Sequence, residues 1–372
     1  MDRSRLAVVG VHAGGFLGPF GGGVTASILP EIGADFGVSA SAASATITAY
    51  LVPFAALMLF SGTLGARWGL RRSILGGYAV MVAGSALCVV AGSFGVLLAG
   101  RGVQGVANAF TTPLLLATLA ATTPRARLGR VLGVFAAMQA AGQTSGPLVG
   151  GLTAEATWRL AFVGVAVAAA ALAAIGLPPD ADSGRPAERV RLRSAWTAGT
   201  VRASAVALVG WGCLGGLTFL VAFRAEDAFG LGAGERGLLL TVFGVVGIVT
   251  ARPVGRLMDR IGARRAVLVG SVAGAVPVAA MGFAPWLAVL LAMWAAAGLF
   301  AQFLQVGVNA LVLTGEGNDA GAVSVVQAFR FVGAAAAPIA LTPIYHASSL
   351  AGFLVPAALL VVVTPLAVAR SR

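Results

Sequence analysis

A charged turn between two long apolar runs occurs twice in this chain. The stronger copy, at residues 255–265, reads Gly-Arg-Leu-Met-Asp-Arg-Ile-Gly-Ala-Arg-Arg, and the weaker copy lies at 62–72. Their first glycines are 193 residues apart, and the same offset separates Gly37 from Gly230. One offset that holds at several positions indicates an internal repeat of a half-chain.

The apolar runs on either side of these turns are long enough to cross a membrane. Hydrophobic residues make up 58% of the chain and charged residues 10%, and apolar runs of about 18 or more residues recur along it. Lipid offers the backbone no hydrogen-bond partners, so spanning segments must be helical. We therefore predict an all-α polytopic membrane protein with twelve transmembrane helices. The predicted spans lie at about 6–30, 41–65, 72–92, 94–121, 128–152, 158–178, 202–224, 236–258, 265–284, 286–313, 320–345 and 349–369.

The first apolar run follows Asp2-Arg3-Ser4-Arg5, as the core of a signal peptide would. It continues to about Leu29, which is too long for a signal peptide, and no clean small-residue cleavage site follows it. We therefore predict that this run is the first membrane helix.

The distribution of arginine predicts the orientation of the chain. All 25 basic residues are arginine, and the formal net charge is +12. With the N-terminus inside, inner segments hold 19 of these arginines and outer segments hold three. An excess of arginine marks cytoplasmic loops. We therefore predict that both termini are cytoplasmic, and we expect no nucleic-acid partner.

The repeat predicts three parts: an N-terminal six-helix bundle at 1–178, a cytoplasmic linker at 179–200 and a C-terminal six-helix bundle at 201–372. Cys88 and Cys213 lie in separate apolar runs, so the sequence predicts neither a disulfide framework nor a metal site. No phosphate-binding loop of the Walker type is present. We expect no cofactor, no metal and no enzymatic activity.

Twelve spans with Gly-x-Leu-x-Asp-Arg-x-Gly-x-Arg-Arg between spans 8 and 9 resemble the major facilitator superfamily over essentially the whole chain. The resemblance implies two pseudo-symmetric six-helix bundles that rock about a central site. It also implies that the two charged turns are gating motifs. Their motif residues are Gly62, Arg67, Gly69, Arg71 and Arg72 in the first turn, and Gly255, Asp259, Arg260, Gly262, Arg264 and Arg265 in the second.

The first turn departs from the family pattern, because Ala66 stands where the family carries an aspartate. That aspartate is implicated in latching the cytoplasmic side. Asp259 keeps the acid in the second turn. We hypothesise that Asp259 and its arginines brace the cytoplasmic gate, against Arg127 or Arg130 at the start of span 5.

A ten-residue match in span 5 resembles the antiporter signature of the family's drug:proton branch. It follows the pattern Gly-x-x-x-Gly-Pro-x-x-Gly-Gly, and its residues are Gly142, Gly146, Pro147, Gly150 and Gly151. Glycines spaced by four make one smooth helix face for close packing, and proline removes a backbone donor and bends the helix. The resemblance implies export by antiport with protons as the coupling ion. Ordinary small-residue packing is the alternative.

A second motif, in span 4, contains Arg101 and Gln104 and resembles the family's arginine motif, which is implicated in proton transfer. An arginine within a span costs at least about 2.5 kcal/mol and is seldom left facing lipid. Two alternatives remain open: the side chain snorkels to an interface, or it braces backbone carbonyls.

Polar residues form one stripe on span 4 and another on span 10, at helical spacings of three and four. The resemblance implies that spans 1, 4, 7 and 10 line a cavity, and polar groups in a bilayer need partners. Hydrogen bonding between helices without a ligand is the alternative, as is packing for the aromatic residues. The candidate substrate-binding residues are Arg101, Gln104, Asn108, Thr111, Gln139, Gln143, Trp211, Phe219, Gln302, Gln305, Asn309, Gln327 and Arg330.

No acidic residue lies clearly inside a span, although a proton antiporter usually carries a buried carboxylate. A cavity of this kind suits anionic or neutral compounds better than cations. Histidine side chains can change charge near neutral pH, so His12 is an alternative coupling group. For the carboxylates, the alternative is that they are solvated loop acids. The candidates for proton coupling are Arg101, Glu31, Asp35, Glu226, Asp227 and His12.

These features together predict a secondary active transporter, multi-pass in a bacterial inner membrane and working by alternating access. The predicted task is proton-coupled efflux of small hydrophobic or amphiphilic compounds, drugs or metabolites, by a monomer in the lipid bilayer. The alternative within the superfamily is transport of sugars, amino acids or organic acids. The alternative from a different class is a non-transporting membrane sensor.

Overall fold

The computed structural model describes residues 3–178, 196–314 and 320–369, and their regular structure consists of helices. The first half contains α1 (Arg3–Gly23), α2 (Leu29–Phe36), α3 (Ala40–Ala43), α4 (Ala45–Trp68), α5 (Leu70–Val89), α6 (Phe94–Ala109), α7 (Thr112–Thr122), α8 (Arg125–Ala154) and α9 (Arg159–Ile175). The second half contains α10 (Ala198–Gly210), α11 (Thr218–Phe229), α12 (Ala233–Ile261), α13 (Ala263–Leu268), α14 (Gly274–Phe283), α15 (Leu287–Thr314), α16 (Ala320–Ala347) and α17 (Ser349–Ala369). Most of the predicted linker, 179–195, lies outside the described residues.

Ten stretches of the described chain are long and apolar enough to cross a membrane, and each coincides with a predicted span. The other two predicted spans correspond to α8 and α9. Helix α8 has 30 residues and is less apolar because glycine, glutamine and arginine interrupt it, and α9 is an apolar helix of 17 residues. The all-α membrane fold is confirmed, and the helices are consistent with twelve spans.

Span 1 is shorter than predicted. Helix α1 ends at Gly23, and a turn leads into α2, which begins at Leu29. Pro30 lies in the first turn of α2, where its missing N–H costs no hydrogen bond. The segment Leu29-Pro30-Glu31 therefore opens a new short helix and does not close the first one, and it places Glu31 in the first turn of α2.

Three other spans contain breaks. In span 9, a short π-helical segment, Val269–Ala273, separates α13 from α14. Span 4 is divided into α6 and α7 at Phe110 and Thr111. In span 7, a short π-helical segment, Trp211–Gly215, separates α10 from α11. Such local irregularities occur at functional sites in membrane helices, and they are tolerated where neighbouring helices satisfy the freed backbone groups.

The offset of 193 residues is visible in the backbone. Helices α4 and α12 end 193 residues apart, and the starts of α5 and α13 and of α6 and α15 are separated by the same distance. Left-handed glycines follow this register: Gly37 and Gly230 have φ of 64° and 65°, and Gly69 and Gly262 have φ of 90° and 85°. These φ values favour glycine because it has no Cβ, so the same two turns are built in both halves.

The two halves pack against each other along α8 and α12. A Cβ atom on Gly151 would lie 2.1 Å from the carbonyl oxygen of Ala233, and one on Gly237 would lie 2.5 Å from that of Pro147. Farther along α12, the added Cβ atom on Gly255 would meet no atom within 4 Å. The helices therefore touch closely at one end and separate towards the other.

A second seam joins α4 to α16 and follows the same trend. The hydroxyl of Thr48 donates to the carbonyl oxygen of Ala335 over 2.7 Å, and the rings of Phe54 and Phe331 have centroids 4.7 Å apart. The far end of α4 is exposed: Trp68 retains 54% of its accessible surface. We call the end that contains Ser27, Glu31 and Arg236 the latched end, and the end that contains the charged turns 62–72 and 255–265 the turn end.

Candidate functional site: a charged latch between the two halves

Arg236 lies buried where the two halves meet at the latched end. Its Nε donates to the carbonyl oxygen of Ser27 over 3.0 Å, and its Nη2 donates to the carboxylate of Glu31; both partners belong to the first half. Its Nη1 lies 3.1 Å from a carboxylate oxygen of Glu226 and donates to the carbonyl oxygen of Leu231 over 3.2 Å. One guanidinium therefore holds carboxylates from both halves.

The local sequence places Arg236 in the first turn of α12. The side chain of Glu235 accepts a hydrogen bond from the backbone N–H of Gly232 over 2.9 Å, which fixes the start of the helix. A cation at a helix N-terminus is unfavourable because the helix dipole is positive there. The carboxylates of Glu31 and Glu226 offset both the dipole and the burial of the charge.

The energetics of this cluster depend on ionisation. The Arg236 side chain is 2% exposed, whereas those of Glu31 and Glu226 are 29% and 39% exposed. Removing one partner of a buried ion pair costs about 3–5 kcal/mol because it leaves a charge buried without its counterion. Both carboxylates are accessible to water, so removing one of them should cost less free energy than removing Arg236. A proton can reach either one and remove its charge.

The span 5 motif lies beside the latch and packs against α1. A Cβ atom on Gly142 or Gly146 would lie 2.2 or 2.9 Å from a carbonyl oxygen of α1, and one on Gly150 would lie 2.1 Å from that of Val24, just after α1. The hydroxyl of Ser27 donates to the carbonyl oxygen of Pro147 over 2.6 Å. The backbone nitrogen of Pro147 carries no hydrogen and cannot donate a hydrogen bond. The motif thus brings α1, α8 and α12 into backbone contact next to Arg236.

The remaining candidates for proton coupling stay within one half. Asp35 pairs with Arg159 over 2.6 Å, and Asp227 accepts a hydrogen bond from the hydroxyl of Tyr345 over 2.8 Å. His12 on α1 makes a 2.9 Å contact from Nδ1 to the carbonyl oxygen of Val8. Of the four candidate carboxylates, Glu31 and Glu226 are the two whose partner joins the halves. The coupling role of every candidate stays a prediction.

Arg101 is fully buried and links three helices of the first half. It donates to the carbonyl oxygens of Gly21 and Thr46 over 2.8 and 3.2 Å, and its guanidinium lies 4.5 Å from the ring centroid of Tyr50. It also donates to Oε1 of Gln104 over 2.8 Å. This is the bracing arrangement that the sequence left open. A part in proton transfer stays a prediction.

The rest of the span 4 stripe makes contacts inside the first half. The amide nitrogen of Gln104 donates to the hydroxyl of Ser85 over 2.8 Å, and Thr112 donates to the side-chain oxygen of Asn108 over 2.6 Å. The hydroxyl of Thr111 donates to the Asn108 carbonyl over 3.3 Å. In this conformation the stripe therefore makes one hydrogen bond to α5 and two within span 4.

Five predicted substrate-binding residues do converge in the second half, where α10, α15 and α16 meet. The guanidinium of Arg330 lies 3.7 Å from the ring centroid of Trp211 and donates to the side-chain oxygen of Gln327. Gln305 and Asn309 line the same cleft, which is too narrow to hold a water molecule in this conformation, so a ligand would require it to widen. The Nε donor of Arg330 is buried without a hydrogen-bond partner in the described structure. An unpaired buried donor costs about 1–3 kcal/mol, which a ligand acceptor would recover.

The other predicted substrate-binding residues are dispersed. Phe219 is fully buried and packs against Phe223, with ring centroids 6.1 Å apart. The Gln302 side chain lies against Gly247 of α12. Gln139 is half-buried and Gln143 is exposed on α8. Substrate binding stays a prediction for all thirteen residues.

In the described conformation Asp259 does not make the ion pair that the sequence suggests. Asp259 is exposed and makes no ion pair with Arg127, Arg130 or any other described residue. Gly62 and Gly255 have open space around them. This agrees with the separation of the halves at the turn end, and a brace there stays a prediction for the opposite conformation.

The sequence missed Arg236, which it counted among the outer-loop arginines. Its position four residues after Gly232, directly behind Glu235, gave a weak signal, because an arginine in the first turn of a helix needs an acidic partner. The partner in the first half lies 205 residues away in sequence, so the pairing could not be read from spacing.

The fold is thus that of a membrane transporter made of two helical halves that separate at one end. The family model of the Major Facilitator Superfamily matches residues 11–234 and 218–371. The chain belongs to this superfamily.

Solved structures share the fold. A bacterial homolog of the human lysosomal transporter Spinster, in an inward-facing and unoccupied conformation, has a TM-score of 0.75 at 17% identity, over 99% of this chain and 96% of that one. The human organic anion transporter MFSD10 (TETRAN) has a TM-score of 0.70 at 18% identity, over 99% of this chain and 100% of that one.

Curated relatives match part of the chain. An uncharacterized MFS-type transporter, EfpA of Mycobacterium tuberculosis, is 37% identical over 165 residues, 44% of this chain and 31% of that protein. The multidrug resistance protein B homolog of the same species is 35% identical over 40% of this chain and 28% of that protein. The methylenomycin A resistance protein of Bacillus subtilis is 36% identical over 36% of this chain and 30% of that protein. The chain therefore spans less than a third of the length of these relatives.

Proposed function

We propose that this transporter is a proton-coupled exporter of small hydrophobic or amphiphilic compounds and works by alternating access. The observation that carries the proposal is the position of Arg236, which holds Glu31 of one half and Glu226 of the other at the latched end. The resistance proteins among the relatives, similar over part of the chain, support export.

The described conformation corresponds to one state of the cycle. The halves separate at the turn end, where the arginine-rich segments predict the cytoplasm. A substrate enters from that side. To release it at the other side, the protein must pull Arg236 away from Glu31 and Ser27. The two halves then rock about the central region, as expected for a transporter made of repeats.

Protonation of Glu31 or Glu226 from the outside is the first step of coupling in this proposal. For antiport, the bound proton must then leave towards the cytoplasm before the latch closes again. A neutral carboxyl keeps little attraction for the guanidinium, so protonation weakens the latch and shifts the population towards the conformation open at the latched end. A ligand shifts such an equilibrium only by its differential affinity for the two states. A proton has such a difference in affinity. It binds the carboxylates more weakly in the closed state, where Arg236 faces them, than in the open state.

The cleft around Arg330 supports anionic or neutral substrates. Its guanidinium offers an unpaired Nε donor, and the ring of Trp211 offers an apolar face. A cation would be repelled by Arg330 unless a carboxylate entered with it. Transport of a dication as the best substrate would contradict this substrate class.

The arrangement in the cell follows from the same proposal. The protein is a monomer in a bacterial inner membrane, with both termini cytoplasmic and the latched end outside. Labelling of an engineered cysteine at Glu155 by a membrane-impermeant maleimide in intact cells tests the orientation. Labelling confined to inside-out vesicles would overturn it.

Proteoliposomes with a pH-sensitive dye inside test the function. Lipophilic cations, neutral drugs and organic anions are added under an imposed proton gradient. We expect substrate-dependent proton movement in the wild type and a loss of at least about tenfold with Glu31→Gln plus Glu226→Gln. The matched control is Glu155→Gln, which changes an exposed acid at the same end.

Three results would contradict the proposal in different ways. Substrate flux without proton movement would indicate facilitated diffusion or another ion. Flux of sugars, amino acids or organic acids in preference to drugs would favour the other branch of the superfamily. Absence of flux for every compound would favour a membrane sensor.

A further inference from the structure

A groove of about 590 Å³ lies on the first half at the turn end, away from the latch and from the cleft of Arg330. Helices α4, α5 and α6 form it. Its lining includes Arg67, Trp68, Arg72, Ser73, Gly76 and Phe110. The size falls within the range of about 300–1,000 Å³ that is usual for small-molecule sites.

The groove opens towards lipid. Arg101 on α6 bonds to carbonyl oxygens of α1, and Asn108 lies against Gly18 of the same helix. At 3.6 residues per turn, Val106 and Phe110 lie on the opposite face of α6, between α4 and α5. Exposed apolar side chains such as Val80 continue the groove wall along α5. An occupant therefore arrives from the bilayer and not from the central cavity.

The charged rim of the groove has no counterion among the residues that the structure describes. Arg67 and Arg72 are exposed and form no ion pair with a described residue. The position before Arg67 is Ala66, whereas the second half has Asp259 at the corresponding place. Two guanidinium groups at the mouth of an apolar groove complement a phosphate ester attached to an acyl chain.

A buried hydroxyl in the groove also lacks a partner. Ser73 is 7% exposed and lines the groove, and its Oγ makes no hydrogen bond in the described structure. Most buried hydroxyls are satisfied. Ser73 lies in the first turn of α5, which begins at Leu70. The backbone N–H groups in the first turn of a helix lack intrahelical acceptors. The hydroxyl therefore indicates a bound acceptor.

The second half provides an internal comparison. The 193-residue offset places Ala266, Val269 and Phe300 where the first half has Ser73, Gly76 and Ala107. There Ala266 packs with Phe303, Phe300 and neighbouring apolar residues in a hydrophobic cluster. The corresponding positions in the second half are wholly apolar, and two of them carry larger side chains. The half that lacks the acid has a hydroxyl and two small residues instead.

We propose that this groove binds an anionic phospholipid. The phosphate lies between Arg67 and Arg72 and accepts a hydrogen bond from Ser73, and an acyl chain follows Gly76 and Val80 along α5. The bound phosphate supplies the negative charge that Ala66 does not. This binding is independent of transport and of the substrate.

Native mass spectrometry of the full chain in a neutral detergent tests the proposal. Phosphatidylglycerol and phosphatidylcholine are titrated separately, and inorganic phosphate is added in a third series. We expect one phosphatidylglycerol to bind at least about tenfold more tightly than phosphatidylcholine. Arg67→Gln plus Arg72→Gln should remove this preference, and Gly76→Val, which fills open space, should weaken binding about fivefold.

Two further variants separate this site from general attraction to charge. Arg260→Gln plus Arg265→Gln changes the equivalent arginines of the second half and should alter binding by less than about twofold. Ser73→Ala should lower affinity about two- to threefold without affecting thermal stability. Equal losses from both arginine pairs, equal binding of the two lipids, or displacement of the lipid by inorganic phosphate would each overturn the proposal.

Discussion

Arg236 and Glu31 are 205 residues apart in sequence, and their ion pair joins the two halves of the molecule at one end. The same guanidinium contacts Glu226 of its own half. At the other end, Asp259 of the second charged turn and Arg67 and Arg72 of the first form no ion pair with a described residue. The ion pair therefore lies where the closed end must open.

Replacing Arg236 with glutamine should open the latched end. Loss of a buried cation leaves two carboxylates facing each other, and a change of about 1.4 kcal/mol is already tenfold in population. Cysteines that replace Glu155 and Gly232 would carry the spin labels. Pulsed electron–electron double resonance should then show an additional, longer distance between the two labels. Native Cys88 and Cys213 are buried.

Arg224→Gln is the control for that measurement. Arg224 donates to the carbonyl oxygen of Ala284 in its own half over 3.2 Å, so its loss should leave the distance distribution at the latched end unchanged. An identical distribution in Arg236→Gln and wild type would show that the ion pairs do not hold the end closed.

Acid should act on the latch in the same direction as Arg236→Gln. Protonation removes the negative charge of Glu31 or Glu226, so the fraction open at the latched end should rise as pH falls from 8 to 5. The same spin-label pair measures it. Glu31→Gln plus Glu226→Gln should be largely open at both pH values. A pH response that survives in the double variant would assign the sensor to another group, with Asp35 and Asp227 as the next candidates.

The sequence was sufficient for the fold because lipid restricts the choice of structure. Apolar runs must be helices, and a constant offset between glycine turns specifies two similar halves, which Gly69 and Gly262 confirm through their left-handed φ values. Breaks inside spans were not predictable, because the π segment at Trp211–Gly215 depends on contacts with α16.

The sites were harder to predict, because a polar residue in an apolar helix has several possible partners. Gln104 and Asn108 satisfy their side chains within the first half, whereas Gln305 and Asn309 meet Arg330. Spacing along one helix gives the face of a residue but not the helix opposite it. Arg236 illustrates the same limit, since its partners come from α2 and α11.

Gly151→Val should prevent the latched end from closing. An added Cβ would lie 2.1 Å from the carbonyl oxygen of Ala233 in the other half, and backbone cannot move aside as a side-chain tip can. We expect at least about a tenfold loss of transport and a spin-label distance like that of Arg236→Gln. Gly133→Val on the same helix meets no atom within 4 Å and serves as the control. Comparable loss in the two variants would mean that α8 responds to bulk anywhere along its length.

Trp211→Ala and Arg330→Lys should change substrate preference differently. The Trp211 ring lies against the guanidinium of Arg330, and removing it takes away an apolar face while the charge remains, so aromatic compounds should lose affinity more than small anions. Lysine keeps the charge but lacks the planar guanidinium that can donate to Gln327 and to a ligand acceptor at the same time. In Arg330→Lys, small anions should therefore lose more affinity than aromatic compounds. Competition of a panel of aromatic and aliphatic anions in proteoliposomes measures both. The same rank order of compounds in wild type and both variants would place the substrate elsewhere, and Gln139 and Gln143 on α8 would then be the next residues to replace.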